Sequence, residues 1–195
     1  MKVIGLCGGS GSGKSTVCDF FAELGIKSIN TDKLYHEIIS TDSDCTKELV
    51  AAFGNTVYAN PGINRSALRD IVFSSPENLR CLNEITHKHI LDGVRRRIES
   101  EDNASGIIID APLLFESEFD KECDLTVCVV ADEEVRVGRI VKRDGISIES
   151  ARKRIASQIK DSDLIKRCNY HINNSSTESA LKKQVHDLYT KLFNN

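Results

Sequence analysis

No stretch of this 195-residue chain carries the run of about 20 apolar residues that a membrane-crossing helix requires, so no integral membrane protein is expected. An excess of one charge is missing as well. Lysine and arginine number 26 against 29 aspartates and glutamates, a net charge of −3. Such a chain has no global basic field to draw it to nucleic acid or to a membrane surface, and neither is expected as a partner. Seven cysteines are present, but they are odd in number and scattered, and no C-x-x-C pair occurs. That pattern argues against a disulfide framework and against a zinc site. Cys7, Cys18 and Cys128 lie inside apolar segments, where cysteine behaves as a small hydrophobe, so all seven are read as reduced thiols. Internal repeats and low-complexity tracts are absent, and the first residues show neither the basic region nor the cleavage site of a secretory signal. The expected setting is cytoplasmic.

What is present is concentrated near the start. Gly8-Gly9-Ser10-Gly11-Ser12-Gly13-Lys14-Ser15 fits G-x-x-x-x-G-K-[ST], the phosphate-binding loop of nucleotide triphosphate enzymes. An apolar strand, Val3 to Cys7, precedes it, and an amphipathic helix, Thr16 to Leu24, follows. This strand–loop–helix context is what the motif's mechanism needs. Glycines let the backbone curl so that successive N–H groups point at a phosphate chain, and the helix N-terminus adds partial positive charge. Gly11, Ser12, Gly13, Lys14, Ser15 and Thr16 are therefore the candidate ATP-binding residues. Lys14 can reach the terminal phosphates, and the Ser15 hydroxyl can hold Mg²⁺. The spacing does not fit a Rossmann G-x-G-x-x-G. A guanine-nucleotide switch would need N/T-K-x-D and D-x-x-G, and neither occurs.

Along the chain, the first βα unit ends at Gly25, a glycine suited to follow a helix end. A short strand, Ile26 to Asn30, delivers Thr31-Asp32. Lys33–Ile39 and Lys47–Phe53 read as helices, and Ser66–Phe73 as a helical excursion after the turn Asn60 to Asn64. Ser75-Pro76-Glu77 opens a long helix as cap, first residue and first-turn acid. The uninterrupted apolar runs Ile107-Ile108-Ile109 and Leu125 to Val130 suit strands of a parallel sheet covered on both faces. Glu133–Lys142 and the strongly charged Ser147–Ile159 read as helices, Tyr170-His171-Ile172 as a weak strand. Ser175-Ser176-Thr177-Glu178 reads as a capping box before the last helix. This order predicts an α/β fold with a parallel sheet and ligands at the carboxyl ends of its strands. The helical insert of roughly residues 40 to 100 is too large for a loop and predicts a subdomain.

Asp110 ends an apolar strand, the position of an acid that holds Mg²⁺, although a capping or turn aspartate reads the same way. Asp32 ends the second strand. A carboxylate there can accept the proton of an attacking hydroxyl, or it can cap the helix that begins at Lys33. Arg136, Arg139 and Arg143 fall at helical spacing, with Arg152 and Arg154 beyond; they suit a phosphate clamp or a solvated face. His87 and His89 on the long helix have no metal-ligand spacing to other residues.

At this point the chain resembles the dephospho-coenzyme A kinase family, nearly end to end. Gly5 to Thr16 resembles the family's GLTGGIGSGKST, with Cys7 in place of threonine and Ser10 in place of isoleucine. Leu24-Gly25 with Asn30-Thr31-Asp32 resembles LG…DAD, and with Asn30 in place of the first aspartate only Asp32 inherits the proposed base role. Arg65, Ala67-Leu68-Arg69 and Phe73 match R-x-x-L…F; Leu82 to His87 resembles a helix ending in His-Pro, with Lys88 in place of the proline. Asp110 to Glu116 resembles the PLLFE loop, the most family-specific piece. Arg139, Arg143-Asp144, Arg154 and Gln158 resemble the lid. The resemblance implies a P-loop kinase with a five-stranded parallel sheet flanked by helices, a core of residues 1–39, 104–142 and 167–195, a helical acceptor-binding insert of about 40–103 and a helical lid of about 143–166. It implies transfer of the ATP γ-phosphate to the ribose 3′-hydroxyl of dephospho-CoA. Under it Lys14, Asp32, Arg139 and Arg143 are catalytic; Asp32, His87, Leu113 and Glu116 bind the acceptor; Ser15 and Asp110 serve Mg²⁺. The alternative within enzymes is another small P-loop nucleoside or nucleotide kinase. No oligomeric state follows from the sequence.

Overall fold

Alternation along short apolar segments builds the centre of the molecule. The computed structural model describes residues 1–101 and 104–194, so the expected insert boundary at 103 and the terminal residue 195 lie outside the described residues. Strands β1 (Lys2–Cys7), β2 (Lys27–Asn30), β3 (Gly106–Asp110), β4 (Leu125–Val130) and β5 (Tyr170–Asn173) form one sheet in the order β2–β3–β1–β4–β5. The pairs β1–β3, β1–β4 and β4–β5 are parallel, with Ile4 opposite Ile108 and Leu125, and Cys128 opposite His171. Because side chains alternate along a strand, Ile4, Leu6, Ile108, Val127, Val129 and Ile172 share one buried cluster. Helix α1 (Lys14–Glu23) covers it with Val17, Phe20 and Phe21, and the last helix with Leu181, Val185, Leu188 and Leu192. The sheet order puts the end of β1 between β3 and β4, where strand order reverses and ligands of open α/β sheets bind.

The chain divides into two units, residues 1–28 with 103–195 and residues 29–102. The second is helical: α2 (Thr31–Ile39), α3 (Asp44–Phe53), α4 (Arg65–Val72) and the 24-residue α5 (Pro76–Glu99). Each begins with a side chain that accepts a first-turn N–H: Asn30, Ser43, Asn64 and Ser75. Ile39, Leu49, Val57, Leu68 and Val72 form its own core. Gly93 lets α5 approach α2, since a Cβ there would stand 3.1 Å from a Leu34 methyl. Helix α2, expected with the sheet core from the sequence, thus buries its apolar face among helices of this unit.

In the first unit, α6 (Glu133–Asp144), α7 (Ile148–Ala156) and α8 (Asp161–Arg167) lead to β5 and α9 (Glu178–Phe193). Three local expectations are corrected. Strand β2 stops at Asn30, whose side chain caps α2, so Asp32 lies in the first helical turn and neither ends the strand nor caps. The charged segment expected as one helix over 147–159 ends at Ala156, and a second helix, α8, follows. The cap of α9 is Thr177, which accepts from Ala180 N at 3.3 Å; Ser175 accepts from Asp132 N instead. A short capping motif has several registers, and tertiary packing selects one. Among the described residues, no helix is long and apolar enough to cross a membrane.

Candidate active site

The loop between β1 and α1 has a shape that only glycine permits at its tightest points. Gly13 has φ +93°, and a Cβ on it would fall 2.1 Å from Asn174 Nδ2. A Cβ on Gly9 would fall 2.1 Å from Arg136 Nη2. Helix α1 opens at Lys14 with no capping side chain and no acid in its first turn. Its N-terminal dipole and N–H groups are thus left to an anion. Ser12 Oγ is buried in the loop without a hydrogen-bond partner. Lys14 Nζ donates to Gly8 O at 2.9 Å, folded over the loop it serves. Ser15 is exposed and Thr16 half-buried at the helix start.

Two arginines brace this loop from α6. Arg136, only 4% exposed, donates Nε to Ser10 O at 2.9 Å, Nη1 to Asp161 at 3.0 Å and Nη2 to Gln158 Oε1 at 2.8 Å. Gln158 also accepts from Ser10 N at 3.0 Å and donates to Ser10 Oγ. Arg139 donates to Gly11 O at 3.2 Å and, through its other amino group, to Asn174 O at 3.0 Å. Buried Asn174 in turn donates to Ser12 O at 2.7 Å. Neither Asn174 nor Asp161 stands out in the sequence. For Asn174 the one available signal is its place just after the last strand, at the ligand-binding edge of the sheet. Arg143 is exposed and donates twice to Asp144, at 2.7 and 3.0 Å. Hydrogen bonds from Arg143 and then Arg154 hold the Asp144 carboxyl well below the usual range, at about 2.

Asp110 ends β3 opposite Leu6, and it is buried. The segment after it turns out toward solvent: Leu113 is 53% exposed and Glu116 is exposed, while Leu114 anchors the turn in the core. The Arg167 guanidinium stacks on Phe115, 3.9 Å from the ring centre. A cavity of about 170 Å³ lies among Gly8 and Gly9 of the loop, Leu113, Phe115, Glu116 and Gln158. The structure therefore brings together the loop, the Pro112–Glu116 turn and the start of α8.

For a divalent cation, the hydroxyl of Ser15 and the carboxylate of Asp110 are hard oxygen donors that fit Mg²⁺. Among the described residues, no three His, Cys, Asp or Glu side chains gather into a metal site. Protein donors this few suit an ion that completes its shell with water and nucleotide phosphate.

Asp32 and His87 belong to the helical unit. Asp32 is exposed in the first turn of α2. His87 is half-buried on α5, and burial pushes its pKa down, in favour of the neutral ring.

The chain is similar to known proteins along most of its length. The family model described as dephospho-CoA kinase matches residues 2–179. A dephospho-CoA kinase of Fusobacterium nucleatum is 40% identical over 185 residues, covering 94% of this chain and 95% of the relative. The crystal structure of TT1252 from Thermus thermophilus matches with a TM-score of 0.83 at 27% identity, over 98% of this chain and 97% of that one. The dephospho-CoA kinase structure from Campylobacter jejuni matches with a TM-score of 0.73 at 25% identity, over 100% and 98%.

Proposed function

The chain belongs to the dephospho-CoA kinase family, and from that premise we propose how its own residues divide the reaction. The activity is ATP-dependent phosphorylation of dephospho-CoA, in which the ribose 3′-hydroxyl takes the γ-phosphoryl group. The observation that carries the reading is the uncapped start of α1 under a glycine loop, next to the Pro112–Glu116 turn. Gly11, Ser12, Gly13, Lys14, Ser15 and Thr16 hold the phosphate chain of ATP through backbone N–H groups and side-chain donors. Lys14 exchanges the Gly8 carbonyl for the terminal phosphates. Ser15 and Asp110 hold Mg²⁺, which when bound neutralises charge on the β- and γ-phosphates.

Asp32 orients the 3′-hydroxyl and accepts its proton. Its exposure leaves the carboxylate accessible to a substrate hydroxyl. Leu113, Glu116 and His87 contact the acceptor, apolar and polar groups together, as a nucleotide with a long arm requires. Arg143 releases Asp144 to meet transferring charge, while Arg139 holds the loop carbonyls in register, so its contribution is positional. The reaction is assigned to the cytoplasm.

The test is ADP release from ATP and Mg²⁺ with dephospho-CoA, AMP, dTMP, adenosine or no acceptor, followed by phosphorus NMR of the product. A new phosphate on the ribose 3′-oxygen of dephospho-CoA, with little turnover of the others, is the expected result. Turnover of AMP or dTMP without turnover of dephospho-CoA would overturn it.

A further inference from the structure

Three thiols meet directly behind the phosphate loop. Cys7 is the last residue of β1 and is followed by Gly8 of the loop. Cys128 is its register partner on β4. Cys168 caps the end of α8, two residues before β5. The Sγ atoms of Cys7 and Cys168 stand 3.6 Å apart. These thiols do not form part of any metal-binding group among the described residues. Nor does the phosphate-binding mechanism use them: the family motif carries threonine at the position of Cys7.

The three are not equivalent. Cys7 and Cys128 are buried, and Cys168 is partly exposed. Hydrogen bonds from Cys128 and then Cys7 hold the Cys168 thiol well below its ordinary pKa, whereas the same contacts and burial push Cys7 and Cys128 up. A partly exposed thiol with a lowered pKa, 3.6 Å from a buried second thiol, is the arrangement of a nucleophilic cysteine with a resolving partner. Of the three, Cys168 is the thiol that a small oxidant in solvent can reach, since Cys7 and Cys128 are 1% and 0% exposed.

We propose that Cys7 and Cys168 are a reversible oxidation site through which a peroxide disables the phosphate loop. The Cys168 thiolate attacks one peroxide oxygen and breaks the O–O bond. The other oxygen leaves, takes a proton and becomes water, and Cys168 becomes a sulfenic acid. The Cys7 thiol then attacks that sulfur; hydroxide leaves, takes the Cys7 proton and becomes a second water. Two thiols have lost two electrons, and one hydrogen peroxide has become two waters. A dithiol reductant reverses the bond by exchange.

The bond acts on the loop because its length is about 2.05 Å, so the sulfurs must close by about 1.5 Å from their present 3.6 Å. The backbone beside Cys7 has little slack. A Cβ on Gly8 would fall 2.4 Å from Val129 O, and Gly8 O accepts from Lys14. Pulling Cys7 toward α8 therefore shifts the Gly8 carbonyl and the lysine it holds.

The experiment treats the whole enzyme with hydrogen peroxide, quenches it, and reads intact mass, linked peptides and kcat/KM for ATP. The wild-type chain should lose two hydrogens, yield a Cys7–Cys168 peptide and lose activity by at least about tenfold, as displacements near 1 Å at a site can cost. Dithiothreitol should restore it. Cys168→Ser and Cys168→Ala should keep their starting activity through the same treatment, while Cys45→Ser should remain as sensitive as wild type. A linked peptide involving other cysteines, no linked peptide, or the Cys7–Cys168 link with unchanged kcat/KM would each overturn the proposal. Because the link is mapped on the wild-type chain, the outcome does not depend on how well any variant folds.

Discussion

Lys14 places its ammonium on a carbonyl of its own loop, within reach of the phosphates that loop is shaped to take. Lys14→Ala should reduce kcat by about 10² or more, in line with a lost electrostatic contact of about 3 kcal/mol at the transferring group. The midpoint of urea unfolding should barely move, since the side chain is only half-buried. Wild-type turnover in this variant would remove Lys14 from the mechanism. The two aspartates separate in a second measurement. Asp32→Asn keeps the shape but removes the proton acceptor; kcat should fall steeply while the Mg²⁺ midpoint stays in place. Asp110→Asn should raise the Mg²⁺ concentration needed for half-maximal rate. A Mg²⁺ titration of both variants checks the division, and the opposite pattern would exchange their roles.

Elements set the loop's shape as much as its own residues do. Gly13→Ala meets both a left-handed φ and the Asn174 side chain 2.1 Å away, so the turn into α1 cannot form as it stands. Loss of ATP binding by isothermal titration is the expected outcome, with most of the fold's circular dichroism retained. Arg136 ties α6 to the loop and to the start of α8 from a buried position. Arg136→Met leaves Asp161 without its cation and should cost about 3 kcal/mol in urea unfolding, as removal of one partner of a buried pair does. It should also weaken ATP binding, because Ser10 and Gln158 lose their common anchor. Unchanged stability would mean that water replaces the guanidinium at no cost. The charged residues of this region were legible as a helical pattern, yet their duties were not. Arg136 reads like its neighbours until the fold buries it, and Ser10 lies 126 residues away in the chain.

At the scale of the whole molecule, closure is the property that matters for a kinase that must keep water from the γ-phosphate. Residues 143–166, expected as a lid, contain the end of α6, all of α7 and most of α8. Their apolar anchorage is small: Ala151 of α7 is buried with Val137 and Ile140 of α6, with Ile146 and Ile155 at the margin. Leu164 of α8 adds one more buried apolar side chain, and polar contacts run through Gln158 and Asp161. Hydrogen exchange over 143–166 should therefore be faster than over β1 or β4, and should slow when ATP and dephospho-CoA are both added. Equal exchange with and without the two substrates would rule out a lid in this segment.

Features carried by neighbours in the chain could be read before any fold was known. The strand–loop–helix from Val3 to Leu24 was legible because the phosphate loop's glycines, lysine and flanking apolar periods are contiguous. The cap at Ser75, the Gly25 stop and the buried strands β3 and β4 were legible for the same reason. The family pattern added the Asp110–Glu116 turn. Tertiary structure alone decided which cap register opens α9, that Asn30 and not Asp32 ends β2, and that two arginines on α6 hold the loop instead of lying on a solvated face. It alone paired Cys7 with Cys168, 161 residues apart. The physical reason is the same for the arginine and thiol contacts. A hydrogen bond or a thiol contact is a short-range event between atoms, and when its partners are separated by more than a hundred residues, only the path of the folded backbone determines that they meet.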